Sequence, residues 1–197
     1  MRKIIVSEFL TLDGVMQAPG EPDEDRSGGF KHGGWHQPYH DDIVARMIIE
    51  GIAGSGGFLL GRRTYEIFAA YWPTAPEEAQ AFADPLNSLP KFVVSTTLRE
   101  PLAWNNSTLI AGDVVNEIAK LKRQFGNDIR VIGSGELVQT LMKHDLVDEY
   151  NLMIHPLVLG SGKHLFREEG SKQILELLDF KTTSKGVTIF KYKTEKE

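Results

Sequence analysis

Two short apolar runs each end in glycine and pass directly into a helix-like segment: LLGRRTYEIF at residues 59–68 and VIGSGELVQTL at 131–141. Strands alternating with helices in this way call for a mainly parallel sheet with helices laid against it. A helix start carries roughly half a positive charge from its aligned peptide dipoles and unpaired N–H groups. Arg62 and Arg63 add two more positive charges at the first of these starts. A negatively charged ligand belongs at such a place.

The remaining elements agree with this plan. KIIVSEFL at 3–10 is a β-branched-rich strand stopped by the turn signal TLDG. Residues 14–38 hold no period of 2 or 3.6, and an unpatterned segment of this length is expected to be a functional or a mobile loop. HDDIVARMIIEG at 40–51 reads as a helix capped by Asp41 or Asp42. A helix is expected from Thr64 to Trp72 and a short one over 76–87, broken at Pro85. PKFVVS and STLIAG are strands, and DVVNEIAKLKRQFG is a helix opened by Asp113. DIRVIGSG runs from strand into turn, ELVQTLMKHD is helical, and VDEYNLMIHPLVLG reads as a long strand. Two strands near 174–180 and 186–193 make an antiparallel hairpin.

The fold class expected is therefore α/β, a mixed sheet flanked by helices with antiparallel C-terminal strands. With 197 residues and 41% hydrophobic content, the chain suits one domain spanning 1–197. Charge is nearly balanced, 22 Lys and Arg against 27 Asp and Glu, which gives no general attraction to nucleic acid or to an anionic membrane. No apolar run reaches the roughly 18–20 residues of a membrane helix. The absence of cysteine removes disulfides and thiolate chemistry, and a soluble, cytoplasmic protein is expected.

Three groups of residues carry the chemistry. Gly133, Ser134 and Gly135 allow close backbone approach, and the helix behind them offers N–H groups to a phosphate. Together with the Arg62–Arg63 turn they suit a ligand with separated phosphates along one edge of a parallel sheet. Ser95, Thr96 and Thr97 put three hydroxyls at a strand end, either to cap a turn or to join the arginines around a ribose phosphate. His32, His36 and His40 are spaced by four, but Gly33, Gly34 and Pro38 interrupt any helix, so no metal site is expected. Trp35 and Tyr39 either close over a planar ligand or pack on the core. Asp13 reads as a turn residue or as chemistry, and Asp41 as a cap or as chemistry. Rossmann, Walker and nucleophile-elbow patterns are all incomplete.

The ordered set SEFLTLDGVMQAPG, LLGRRTYE, KFVVSTTL, RVIGSGELVQTLM and VDEYNLMIHPLVLGSGKHLF resembles the C-terminal reductase domain of bacterial riboflavin-biosynthesis deaminase-reductases over nearly the whole chain. The resemblance implies a dihydrofolate reductase-like fold, NADPH as cofactor and a homodimer. It assigns Gly61, Arg62, Arg63 and Thr64 to cofactor phosphate, Ser95 to Thr97 to the adenosine side, and Gly133, Ser134, Gly135 and Glu136 to pyrophosphate. Asp13 and Gly14 would border nicotinamide and substrate. The residues themselves, outside the resemblance, make Asp13 or Asp41 the candidate for proton delivery and Trp35 and Tyr39 the candidates to close over the substrate. No deaminase segment with its zinc ligands is present, so the reductase part alone is expected. The function implied is reduction of a small planar or carbonyl-bearing molecule. The rival readings are a nucleotide-binding or regulatory module without turnover and a metal-dependent hydrolase using the histidine loop.

Overall fold

The computed structural model describes residues 1–168 and 170–195. Eight strands form one sheet in the order β4-β3-β2-β5-β1-β6-β8-β7. In chain order they are β1 (Ile4–Thr11), β2 (Gly57–Gly61), β3 (Lys91–Val94), β4 (Ser107–Ile110), β5 (Ile129–Ile132), β6 (Glu149–His155), β7 (Leu175–Thr182) and β8 (Thr188–Thr194). The pairs from β4 across to β6 are parallel, while β8 runs antiparallel to β6 and to β7. The expected sheet, mainly parallel with an antiparallel C-terminal edge, is the one observed.

Among the described residues five α-helices cover it: α1 (Asp42–Ala53), α2 (Arg62–Tyr71), α3 (Gln80–Ser88), α4 (Val114–Arg123) and α5 (Gly135–Lys143). Side chains alternate across a strand, so β1 feeds both faces. Ile4, Val6 and Leu10 join Ile118 and Leu121 of α4 and Val138 and Leu141 of α5 on one side. On the other side, Phe58 and Leu60 of β2 pack with Ile52 of α1, Tyr65 of α2 and Leu86 of α3. Helices α1 and α5 therefore leave the neighbouring strands β1 and β5 toward opposite faces. A crevice opens at that switch point, outside the carboxyl ends of the two strands.

Four local expectations change. Helix α2 starts at Arg62 rather than Thr64, because Gly61 is its extended N-cap. Helix α3 spans Gln80–Ser88 and contains Pro85 instead of breaking there. Ala83 and Leu86 bury its inner side, and the Asn87 side chain ties its end to Trp72 and Trp104, so tertiary contacts override the proline. Strand β6 stops at His155, since Pro156 has no N–H to continue the ladder. The 14–38 segment has short 3-10 turns at Ser27–Gly29 and Gln37–Tyr39 and its own small core of Val15, Ala18, Phe30 and Trp35.

Candidate active site

A cavity of about 940 Å³ fills the crevice. One half faces the two glycine turns and is lined by Gly61, Arg62, Arg63, Thr64 and the run Gly133, Ser134, Gly135, Glu136. The two turns are fastened by one side chain. Ser134 Oγ accepts from Gly61 N–H at 2.8 Å and donates to Thr64 Oγ1 at 2.9 Å. Because that hydroxyl is committed across the gap, it makes no capping bond to α5, and Gly61 has no side chain with which to cap α2. Two helix starts thus face the cavity with their first-turn N–H groups unclaimed by a cap. Gly133 has φ +62°, and a Cβ there would lie 3.0 Å from Thr64 Oγ1, so only glycine lets the turns meet.

Cations gather at this end. Arg62 bonds Glu66 at 2.9 Å, and Arg167 bonds Glu136 at 2.5 Å. Arg63 and Lys163 share Asp25, at 3.3 and 2.5 Å. Burial works against the charge of Asp25, but Lys163 and Ser27 hold its carboxyl down at about 2. A carboxylate from the 14–38 segment therefore sits where the sequence called for an anion.

The other half lies between the sheet and α1, with Ser7, Arg130, Asn151, Met153 and Lys191 on the sheet side and Met47, Ile48 and Ile52 opposite. Arg130 is fixed: it donates to Ser7 Oγ, and its Nε donates to Gly51 O and Ser55 Oγ, both at 3.2 Å. Phe9 forms part of this wall and carries the loop latch. Its ring stacks on His36 at 4.1 Å, and His36 Nδ1 lies 2.8 Å from Nε2 of fully buried His155. His155 Nδ1 faces the carbonyls of Met153 and Leu10, so it must carry the proton and His36 must be the donor to Nε2. Burial, with His155 and His40 adding to it, pulls His36 down to about 4.

The other residues singled out in the sequence lie outside the cavity lining. Asp13 accepts from the backbone of Leu159 and Gly160 and from Thr11, which makes it a turn brace, with Gly14 at φ +81° beside it. Asp41 caps α1 through Ile43 N–H at 2.8 Å and also holds Ser184. Trp35 is buried in the loop's own core and donates to Gln17 O, and Tyr39 packs with Val44, Met153 and Val187. Ser95 Oγ serves its own turn, accepting from Thr97 and Leu98 N–H; Thr96 and Thr97 sit at the same strand end. Among the described residues there is no cluster able to hold a metal ion, and no helix is long and apolar enough to cross a membrane.

Sequence reasoning missed Glu8, Ser7, Arg130 and Lys163. Glu8 had a signal: alternation puts it in register with Val6 and Leu10, the buried side of β1, where an acid has no ordinary place. Arg130 and Lys163 had none, since single cations on strands and loops are commonplace.

Residues 2–189 match the model of the RibD C-terminal domain. The chain belongs to that family. It is a family of riboflavin-pathway-type reductases. Over 197 aligned residues the chain is 33% identical to the Bacillus subtilis (strain 168) protein YyaP, covering 97% of this chain and 94% of that one. It is 30% identical to YwjB of the same organism over 131 residues, 66% of this chain and 70% of YwjB. Both relatives are named as uncharacterized. A structure named for riboflavin biosynthesis, from Shewanella sp. PV-4, superposes with a TM-score of 0.70 at 24% identity, covering 98% of this chain and 99% of that one. A pyrimidine reductase-like protein of Corynebacterium diphtheriae gives 0.64 at 13% identity, with 100% and 93% covered. At such identities the two structures establish the fold alone.

Dinucleotide phosphates fit the residues present. Two uncapped helix starts, a glycine that admits close approach and four cations supply donors and charge at one end of a cavity whose other end is apolar and polar by turns.

Proposed function

We propose that this chain is an NADPH-dependent reductase acting on a small planar or carbonyl-bearing substrate. The observation that carries the reading is the pair of uncapped helix starts, bridged by Ser134, at one end of a single cavity. NADPH supplies hydride; orientation and exclusion of water are the protein's part. The first-turn N–H groups of α2 and α5 bind phosphate, with Arg62 and Arg63 favouring a cofactor that carries an extra phosphate on its ribose. On the far side of the crevice, Ser7, Arg130 and Asn151 offer hydrogen bonds to the substrate's polar edge, and Met47, Ile48 and Ile52 cover its flat face. Asp13 and Asp41 act as structural braces in this reading. The same reading includes a homodimer through the outer sheet edge, where Leu177, Leu178 and Phe180 of β7 are exposed, Phe180 by 60%.

The test is fluorescence titration with NADPH and NADH, followed by NADPH consumption with a panel of pterins and aminopyrimidines. Preferred NADPH binding, weakened in the Arg62→Ala, Arg63→Ala double variant, supports the cofactor half. Consumption with any member of the panel supports turnover, and binding without consumption across an exhaustive panel favours the module without turnover. If neither cofactor binds, the proposal fails.

A further inference from the structure

The sheet parts at one point, and a buried acid stands at the gap. Pairing between β1 and β5 ends at Ser7 with Ile132, while β1 continues beside β6 as far as Thr11 with His155. Glu8 is the first residue of β1 beyond the split. Its side chain lies on the α5 side of the sheet, the side of the Gly133 turn, and is part of the cavity wall. Only 5% of it is exposed, and its Oε1 has no hydrogen-bond partner among the described residues. The groups acting on its carboxyl are the Gly133 amide, which favours the anion, and the Glu24 carboxyl, which opposes it.

Glu149 shows what a buried acid held for structure looks like here. It is equally hidden, at 3% exposure, but Lys3 reaches it at 2.5 Å and Lys191 at 3.5 Å. Among the described residues no such cation acts on Glu8. A buried carboxyl with an oxygen left over carries an uncompensated desolvation cost and calls for an explanation beyond folding.

We propose that Glu8 is a specificity-determining residue that pairs with the carboxamide of the cofactor's nicotinamide ring in the gap between β1 and β5. The inference rests on the dinucleotide reading above. A carboxyl that keeps its proton offers one donor and one acceptor, the complement of an amide's acceptor and donor. Burial first, and then Glu24, push the Glu8 carboxyl well above the usual range, which keeps that proton in place. The Gly133 amide lies on the same turn that binds phosphate, so the acid also fixes the ring's distance from the phosphate end.

The experiment measures binding, not turnover. NADPH and 2′-phospho-ADP-ribose, which lacks the nicotinamide ring, are titrated into wild type, Glu8→Gln and Glu8→Leu. Glu8→Leu is expected to weaken NADPH by roughly tenfold or more and to leave the ring-free fragment unchanged, whereas Glu8→Gln, which keeps a donor and an acceptor, stays within about threefold for both. Glu8→Leu removes an unpartnered oxygen and is expected to melt no lower than wild type; Glu8→Met repeats the test with a more pliable side chain should it fail to fold. If the apolar variants bind NADPH as wild type does, or lose both ligands equally, the assignment of Glu8 is overturned while the dinucleotide reading stands. If wild type binds neither ligand, both fall.

Discussion

The helices of this protein begin in two different ways. Helices α1 and α4 are closed by acids: Asp41 accepts from Ile43 N–H, and Asp113 accepts from Asn116 N–H. Helices α2 and α5 begin at Gly61 and Ser134 with no side-chain cap, and both face the cavity. Helix α3 grows out of the 3-10 turn Glu77–Ala79 and needs no separate start. An acid at a helix start satisfies orphan N–H groups and complements the dipole, so it stabilises the fold and leaves nothing for a ligand. The uncapped starts forgo that stabilisation. In α2 and α5, where the cap is omitted, the first-turn N–H groups stay open to the cavity.

Turning one kind of start into the other gives the largest expected effect. Gly61→Asp would place a carboxylate at the start of α2, where the backbone is extended and the new Cβ meets the Ser134 side chain at 3.2–3.3 Å, so that the Ser134 bridge must shift to make room. NADPH affinity is expected to fall by roughly a hundredfold in titration, with the melting temperature lowered by only about 2–4 °C from the strained Ser134 contact. Gly133→Ala comes next: its left-handed backbone and the 3.0 Å approach to Thr64 Oγ1 make it cost about 1–2 kcal/mol in denaturant unfolding and weaken NADPH about tenfold. Asp113→Ala breaks the comparison from the other side. The melting temperature is expected to drop by roughly 3 °C while NADPH binding holds, and a loss of binding would show that capped starts also serve the ligand.

The smallest effects concern pH and the loop. His36 has its folded value lowered to about 4 against an ordinary 6.5, so the unfolded or loosened state takes up the proton first. The latch is intact above about 6.5 and weakens as pH falls from there toward 4, which hydrogen exchange of residues 15–40 should record. Asp25, lowered to about 2 from 3.8, contributes its stabilisation above about 4 and loses it between 4 and 2. The two windows separate the His36 contact from the Asp25 contact. A His36→Phe variant is expected to shrink the upper window to the share left by buried His155, whose value burial also lowers, and to leave the lower window unchanged.

Much of the fold was legible because its signals are local. Apolar runs, glycine turns and Asp caps marked β1 to β5, α1, α4 and α5 directly from the sequence. Pro85 misled, because the packing of Leu86 and the Asn87 bonds are non-local. The two glycine turns were legible for the same local reason: Gly61 to Thr64 and Gly133 to Glu136 all line the cavity. The other half of the cavity was not. Ser7, Arg130 and Asn151 come from three strands that meet only through register, and Asp13, Trp35 and Tyr39 looked functional because turn braces and loop cores draw on the same residue types as active sites. Asp25 filling the place between Arg63 and Lys163 is a long-range ion pair that no spacing announces.

The most direct test of the contrast is amide NMR during NADPH titration. First-turn amides of α2 (62–64) and α5 (135–137) are expected to shift together as the cofactor binds, while those of α1 (42–44) and α4 (114–116) stay in place. Shifts confined to one of the two uncapped starts, or spread equally over the capped ones, would contradict the account.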